Sequence, residues 1–217
     1  MSELATMRWV IGVTGASGVL YALRLVEILS EQQGEYHLIF SEAAIRVLHE
    51  EEGIKLSLSR INVEKLIGRS CSNVHLHNPR DIGASVASGS FRSDGMVIVP
   101  CSMGSLGFIA AGIGQNLIHR AADVTIKEGR KLILVPRETP LSTIHLENML
   151  KLSRMGVVML PAMPGFYHKP STISDIVDSL VMKILDHMGI QNSLAQRWGE
   201  APDFGVNSES VLNLRRV

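Results

Sequence analysis

Apolar residues come in short runs separated by longer stretches of mixed polarity. The runs Arg8 to Val13, Tyr36 to Phe40, Gly95 to Val99, Lys131 to Val135 and Val157 to Leu160 are the predicted strands. Between them the spacing turns helical. Ser17 to Glu31 sets Leu20, Leu23, Val26 and Ile28 to Leu29 on one side, and Gln115 to Glu128, Ser142 to Arg154 and Ser174 to Met188 repeat that spacing. Such alternation of strand and helix predicts an α/β architecture, a parallel sheet with helices on both faces. The stretch Gly53 to Arg92 is less regular, with Asn62 a cap for a helix to Gly68 and a weak strand at Val74 to His77, read as an extra strand or a lid. Beyond Gly189 the pattern decays. The chain is expected to form one domain over 1–198 and an extended tail over 199–217 that reaches toward a neighbouring subunit.

Composition adds limits. Apolar residues make up 46% and charged residues 19%, more hydrophobic surface than one domain of 217 residues easily hides, so burial between identical subunits is expected. The 21 basic residues balance the 21 acidic ones and form no phosphate-backbone track, which argues against nucleic acid. The run Trp9 to Val13 is too short for a signal peptide, and no stretch reaches the roughly 20 apolar residues of a membrane span. Cys71 and Cys101 make neither a disulfide framework nor a zinc pattern, so the chain reads as cytoplasmic and reduced. His145 with Glu147, and His75 with His77, make no credible metal cluster.

In an open parallel sheet, ligands sit beyond the carboxyl ends of the strands. After the first strand, Thr14 to Gly18 is a small-residue turn entering a helix, whose free amides and positive dipole end favour a phosphate; capping by Ser17 alone is the plainer alternative. Gly12, Gly15 and Gly18 are spaced G-x-x-G-x-x-G, and the second strand ends in Ser41 rather than an acid, which favours a mononucleotide over NAD. Ser102, Met103, Gly104 and Ser105 repeat the theme after the Gly95 strand, and Ser88 to Ser90 is a further turn that admits a planar ring. Cys101 reads better as a packed thiol than as a nucleophile. Arg137 and Glu138 form either a phosphate clamp with a proton carrier or a rim ion pair. Arg120, Asp123 and Lys127 share one helix face, the spacing of a solvated ion ladder.

The turn Thr14 to Gly18, the turn Ser102 to Leu106, Arg120 to Asp123, Lys127, Pro136 to Glu138, Ile144 to Met149 and Pro164 to His168 together resemble the UbiX flavin prenyltransferases, over about Val10 to Trp198. The resemblance implies a flavodoxin-like fold and a dodecamer. It implies an enzyme that joins FMN to dimethylallyl monophosphate without a metal and releases phosphate. The product, prenylated FMN, then serves a UbiD-type decarboxylase in ubiquinone synthesis or aromatic acid metabolism. Gly15, Ala16, Ser17, Ser41, Ser102 to Ser105 and Arg137 correspond to FMN contacts, with Ser88 in the same role. Arg120, Lys127, Tyr167 and Lys183 correspond to ligands of the dimethylallyl phosphate, which Glu51 and Glu138 flank. Ser17 and Glu138 would move protons, and Trp198 resembles a tail aromatic that covers the site from a neighbouring subunit, with a packing role the alternative. Ile82 stands where many relatives carry Trp, and Lys183 where some carry Arg. Rival readings are an FMN-dependent cysteine decarboxylase, against which Val86 to Ser90 lacks that group's Asn-bearing turn, and a non-catalytic flavin carrier.

Overall fold

The computed structural model describes residues 7–199. Six parallel strands form one sheet: β1 (Arg8–Val13), β2 (Glu35–Phe40), β3 (Val74–His77), β4 (Gly95–Cys101), β5 (Lys131–Pro136) and β6 (Val158–Met159), in the order β3-β2-β1-β4-β5-β6. The connections carry α1 (Val19–Leu29), α2 (Glu42–Glu52), α3 (Val63–Ile67), α4 (Met103–Ala110), α5 (Leu117–Lys127), α6 (Thr143–Arg154) and α7 (Ile173–Met188). This is the three-layer, flavodoxin-like α/β fold. Chain order reverses between β1 and β4, and a crevice opens there at the carboxyl edge.

Strand alternation sorts the side chains into two cores. Trp9, Ile11, Val13, Val97, Val99, Ile133 and Val135 pack under α1 and α7. Val10, Met96, Ile98, Leu132 and Leu134 pack under α4 and α5. Because both faces are covered, these strands carry few polar residues, and for that reason they were legible as apolar runs.

Two strand bounds shift, while the reading of the irregular region holds. β4 extends two residues past Val99, to Cys101, and β6 retains only Val158–Met159 of the expected Val157 to Leu160. The irregular region holds an edge strand, β3, paired with β2, together with the helix capped by Asn62. Helix α2 was not foreseen. It is polar on most positions and buries only Ala44, Ile45 and Leu48. Except for Gly199, the expected tail lies outside the described residues.

Helix α6 buries Leu152 and leaves Ile144, Leu146 and Leu150 exposed, as is the following Met155. Apolar side chains exposed on more than one face of a helix are the kind of surface a second subunit covers. Among the described residues no helix is long and apolar enough to cross a membrane.

The amino half of β2 and β3 gathers His37, His75 and His77. His37 Nδ1 lies 2.9 Å from His77 Nε2, and its Nε2 lies 3.2 Å from Glu35. Burial is the main cause that lowers the His37 pKa from 6.5 to about 4; His77, His75 and Arg8 add to it, and Glu35 opposes it. The unfolded chain therefore binds this proton first. Stability is complete above the unfolded value and falls as pH drops from 6.5 toward about 4. The loss is on the order of 2–3 kcal/mol. Urea melts at pH 7 and pH 4.5 should show it, and His37→Phe should flatten that difference; an unchanged slope in the variant would assign the acid sensitivity elsewhere.

Candidate functional site

The crevice at the carboxyl edge is a cavity of about 690 Å³ lined by Gly15 and Ser41 to Ala43 on one side and Ser102, Gly104 and Ser105 on the other. Asn116 and His119 close it from α5, Phe108 lies within, and Arg80 and Ile82 stand among its walls. Three helices begin here. Ser41 accepts from Ala44 N–H, Ser102 from Ser105 N–H and Asn116 from His119 N–H, at 3.0 to 3.2 Å, so α2, α4 and α5 are each capped by a side chain, and in α5 the Leu117 N–H also donates to Pro79 C=O at 2.9 Å. Three converging helix starts give the cavity a positive character suited to an anion.

Helix α1 differs. Its cap position is Gly18, at φ 104°, a left-handed conformation suited to glycine. Its amides are already engaged: Gly18 N–H donates to the Glu51 carboxylate at 2.9 and 3.1 Å and Val19 N–H at 3.0 Å. The turn that the sequence offers to a phosphate thus holds the chain's own anion.

Thr14 joins the two central turns. Its hydroxyl donates to Pro100 C=O at 2.9 Å and accepts from Ser102 N–H at 2.7 Å, with the residue 1% exposed. Thr14→Val removes both bonds and should cost about 1–3 kcal/mol in an unfolding titration; wild-type stability would deny that this hydroxyl holds the turns together. Gly15 lies so close to α2 that an added Cβ would sit 2.4 Å from the Ala43 Cβ, so a larger residue would force the β1 turn and α2 apart. Arg137 Nε reaches back to the Ser17 C=O at 3.2 Å, which brings β5 and the β1 turn together. Glu138 is exposed and accepts from Thr139 N–H at 3.0 Å. Cys101 is fully buried, and burial raises its thiol to about 12, so it packs as an inert hydrophobe.

The remaining expected residues lie elsewhere. Lys127 ends α5 beside Glu128, with which it pairs, close to Gly89. Arg130 donates to the Gly89 and Phe91 carbonyls at 2.7 and 2.6 Å, next to the amino ends of β4 and β5. The Ser88 to Ser90 turn and Lys127 are therefore at the amino edge, away from the cavity by about 20 Å, the length of β4. A turn that precedes a parallel strand must lie at that edge, so Ser88 does not line this protomer's cavity. Lys183 is exposed on α7, one turn before His187, whose C=O accepts from Lys131 at the start of β5. Arg120, in the first turns of α5, pairs with Asp123 at 2.6 Å, the ion-ladder geometry that the spacing suggested. Tyr167 meets Trp198 edge to face at 5.6 Å within the same chain, and Trp198 is 82% exposed.

His119, Phe108, Asn116 and Arg80 were missed by sequence reading. Only Asn116 carries a local signal, as a cap before an apolar helix. Among the described residues no three acidic, His or Cys side chains are placed to hold a metal ion.

The lining suits a flavin mononucleotide. The cavity is within the ordinary range for a cofactor, its turns supply hydroxyls and amides for a phosphate, and a buried polar atom, His119 Nδ1, has no hydrogen-bond partner among the described residues.

Comparison with known proteins agrees. A family model described as flavoprotein matches residues 1–185. A flavin prenyltransferase UbiX from Alkalihalophilus pseudofirmus is 50% identical over 200 residues, 92% of this chain and 100% of that protein. A dodecameric FMN-dependent UbiX-like decarboxylase from Escherichia coli O157:H7 superposes with a TM-score of 0.79 at 47% identity, covering 88% of this chain and 99% of that one. AnUbiX in complex with FMN and dimethylallyl pyrophosphate gives 0.81 at 40% identity over 91% of this chain and 100% of that one. With half its residues shared along the full length of a UbiX protein, the chain belongs to the UbiX flavin prenyltransferases, within the flavoprotein family.

Proposed function

We propose that this protein joins reduced FMN to dimethylallyl monophosphate, forming prenylated FMN and phosphate for use by a UbiD-type decarboxylase in the cytoplasm. The observation that carries the reading is the cavity at the β1/β4 reversal, lined by three capped helix starts, in a chain half identical to a UbiX prenyltransferase. Residues 1–198 are read as one domain.

The flavin, when bound and reduced, supplies the N5 and C6 centres that take the two ends of the prenyl group. Gly15, Met103 and Gly104 bind it through amides and Ser41, Ser102 and Ser105 through hydroxyls, with Ala16 in the same turn as Gly15, its N–H held by Thr14 C=O. Arg137, held by the Ser17 carbonyl, presents its guanidinium to the flavin. Glu51 holds the start of α1 and with it the turn that carries Ser17. Ser17 and Glu138 move protons.

Breaking the allylic C–O bond leaves a cation-like prenyl group and a phosphate, so fixed cations around that phosphate stabilise the leaving charge. Arg120, Lys127 and Lys183 fill this role, Tyr167 donates to the phosphate, and Trp198 shields it. Lys127 lies about 20 Å from the cavity of its own protomer, so it serves the cavity of a neighbouring copy, with Ser88 to Ser90 beside it. The exposed apolar side chains of α6 provide a surface for that assembly, read as a dodecamer.

The test is anaerobic incubation with reduced FMN and dimethylallyl monophosphate, followed by mass spectrometry of the extracted flavin. A gain of one C5 prenyl unit is expected. The E. coli relative is named a decarboxylase, and unmodified FMN at high occupancy would move this chain to that activity or to a flavin carrier.

A further inference from the structure

The cavity holds a buried group that the proposed chemistry leaves unused. His119 is 3% exposed. Its ring leaves α5 to stack on Phe108 of α4, with centroids 5.1 Å apart and planes at 27°, and its Nε2 lies 3.2 Å from Ser105 Oγ. Nδ1 is buried and has no hydrogen-bond partner among the described residues. The Ser105 hydroxyl is the partner on the Nε2 side and no acceptor among the described residues faces Nδ1, so the geometry favours the tautomer with its proton on Nε2, donated to Ser105 Oγ. Burial lowers the pKa of the imidazole, so the ring is neutral at physiological pH.

Ser105 Oγ, already accepting from His119, keeps its own proton for another acceptor. A hydroxyl polarised in this way is a stronger donor, and Ser105 and His119 both line the cavity. We infer that His119 is a positioning residue, which fixes Ser105 Oγ as a hydrogen-bond donor to an acceptor oxygen of the bound flavin. This rests on the flavin reading above.

The test is a double-mutant cycle read by the FMN dissociation constant, from quenching of flavin fluorescence, with thermal unfolding of each flavin-free variant alongside. His119→Leu and Ser105→Ala should each weaken FMN by roughly 3- to 10-fold. The double variant should be no weaker than Ser105→Ala alone, because one path is being cut twice. His119→Gln, which keeps an N–H donor near the Nε2 position, should recover most of the affinity. Should His119→Leu fail to fold, His119→Asn, polar but too short to reach Ser105, takes its place. Wild-type affinity in the Leu or Asn variant, losses that add in the double variant, or a Gln variant as weak as Leu would each overturn the inference. Failure of the wild-type protein to bind FMN would instead overturn the proposed function.

Discussion

Glu138→Gln is expected to leave FMN binding near the wild-type level while slowing prenyl transfer by about a hundred- to ten-thousand-fold, the range spanned by loss of a general acid or base. The substitution is nearly isosteric, and its amide oxygen still accepts from Thr139 N–H, the one hydrogen bond of the carboxylate among the described residues. The neighbouring Arg137, which spans to the Ser17 carbonyl, is untouched, so the turns should keep their arrangement. What the amide lacks is a proton that can be given and retrieved. Stopped-flow measurement of flavin spectral change after mixing with dimethylallyl monophosphate separates this from a binding defect. Unchanged turnover would remove Glu138 from the mechanism.

Lys127→Ala should lower use of the prenyl donor by roughly a hundredfold, the loss of a charge-assisted phosphate contact, while sparing FMN affinity. The more telling measurement mixes this variant with Glu138→Gln. Each homogeneous assembly is defective at every site. In a randomly co-assembled mixture, a cavity from a Lys127→Ala protomer meets the intact Lys127 of a Glu138→Gln neighbour, and about a quarter of the sites become whole. Recovered activity on mixing, absent when the two are kept apart, is the expected result. No recovery would mean that Lys127 does not complete a neighbour's cavity. An equal collapse of FMN binding in Lys127→Ala would show that the division between flavin and phosphate residues is wrong.

Much of the fold was legible because β1, β2, β4 and β5 are buried on both faces and so read as unbroken apolar runs. Helix α2 escaped because a helix lying over the rim needs only Ala44, Ile45 and Leu48 inside, too few to set a period. Ser41 and Ser102 were accessible for a local reason: each ends a strand and caps the next helix, so its place follows from chain order alone. His119 was not, since its burial depends on how α4 packs against α5, and neighbours in space leave no trace in spacing. Glu51 presents the same difficulty, being 33 residues from the amide it caps. Ser88 and Lys127 lie at the amino edge because a turn preceding β4 and the end of a helix leading into β5 must, a placement that residue type alone does not reveal.

The carboxylate at the start of α1 also bears on how the protein empties itself. Glu51 is tethered to the fold, so it meets the Gly18 and Val19 amides at an effective concentration in the millimolar range or above, whatever the solution contains. Free inorganic phosphate has to outcompete this resident anion to lodge there. A reaction that liberates phosphate beside several cations runs the hazard of product retention, and an anion built into the wall removes one of the places where the product would linger.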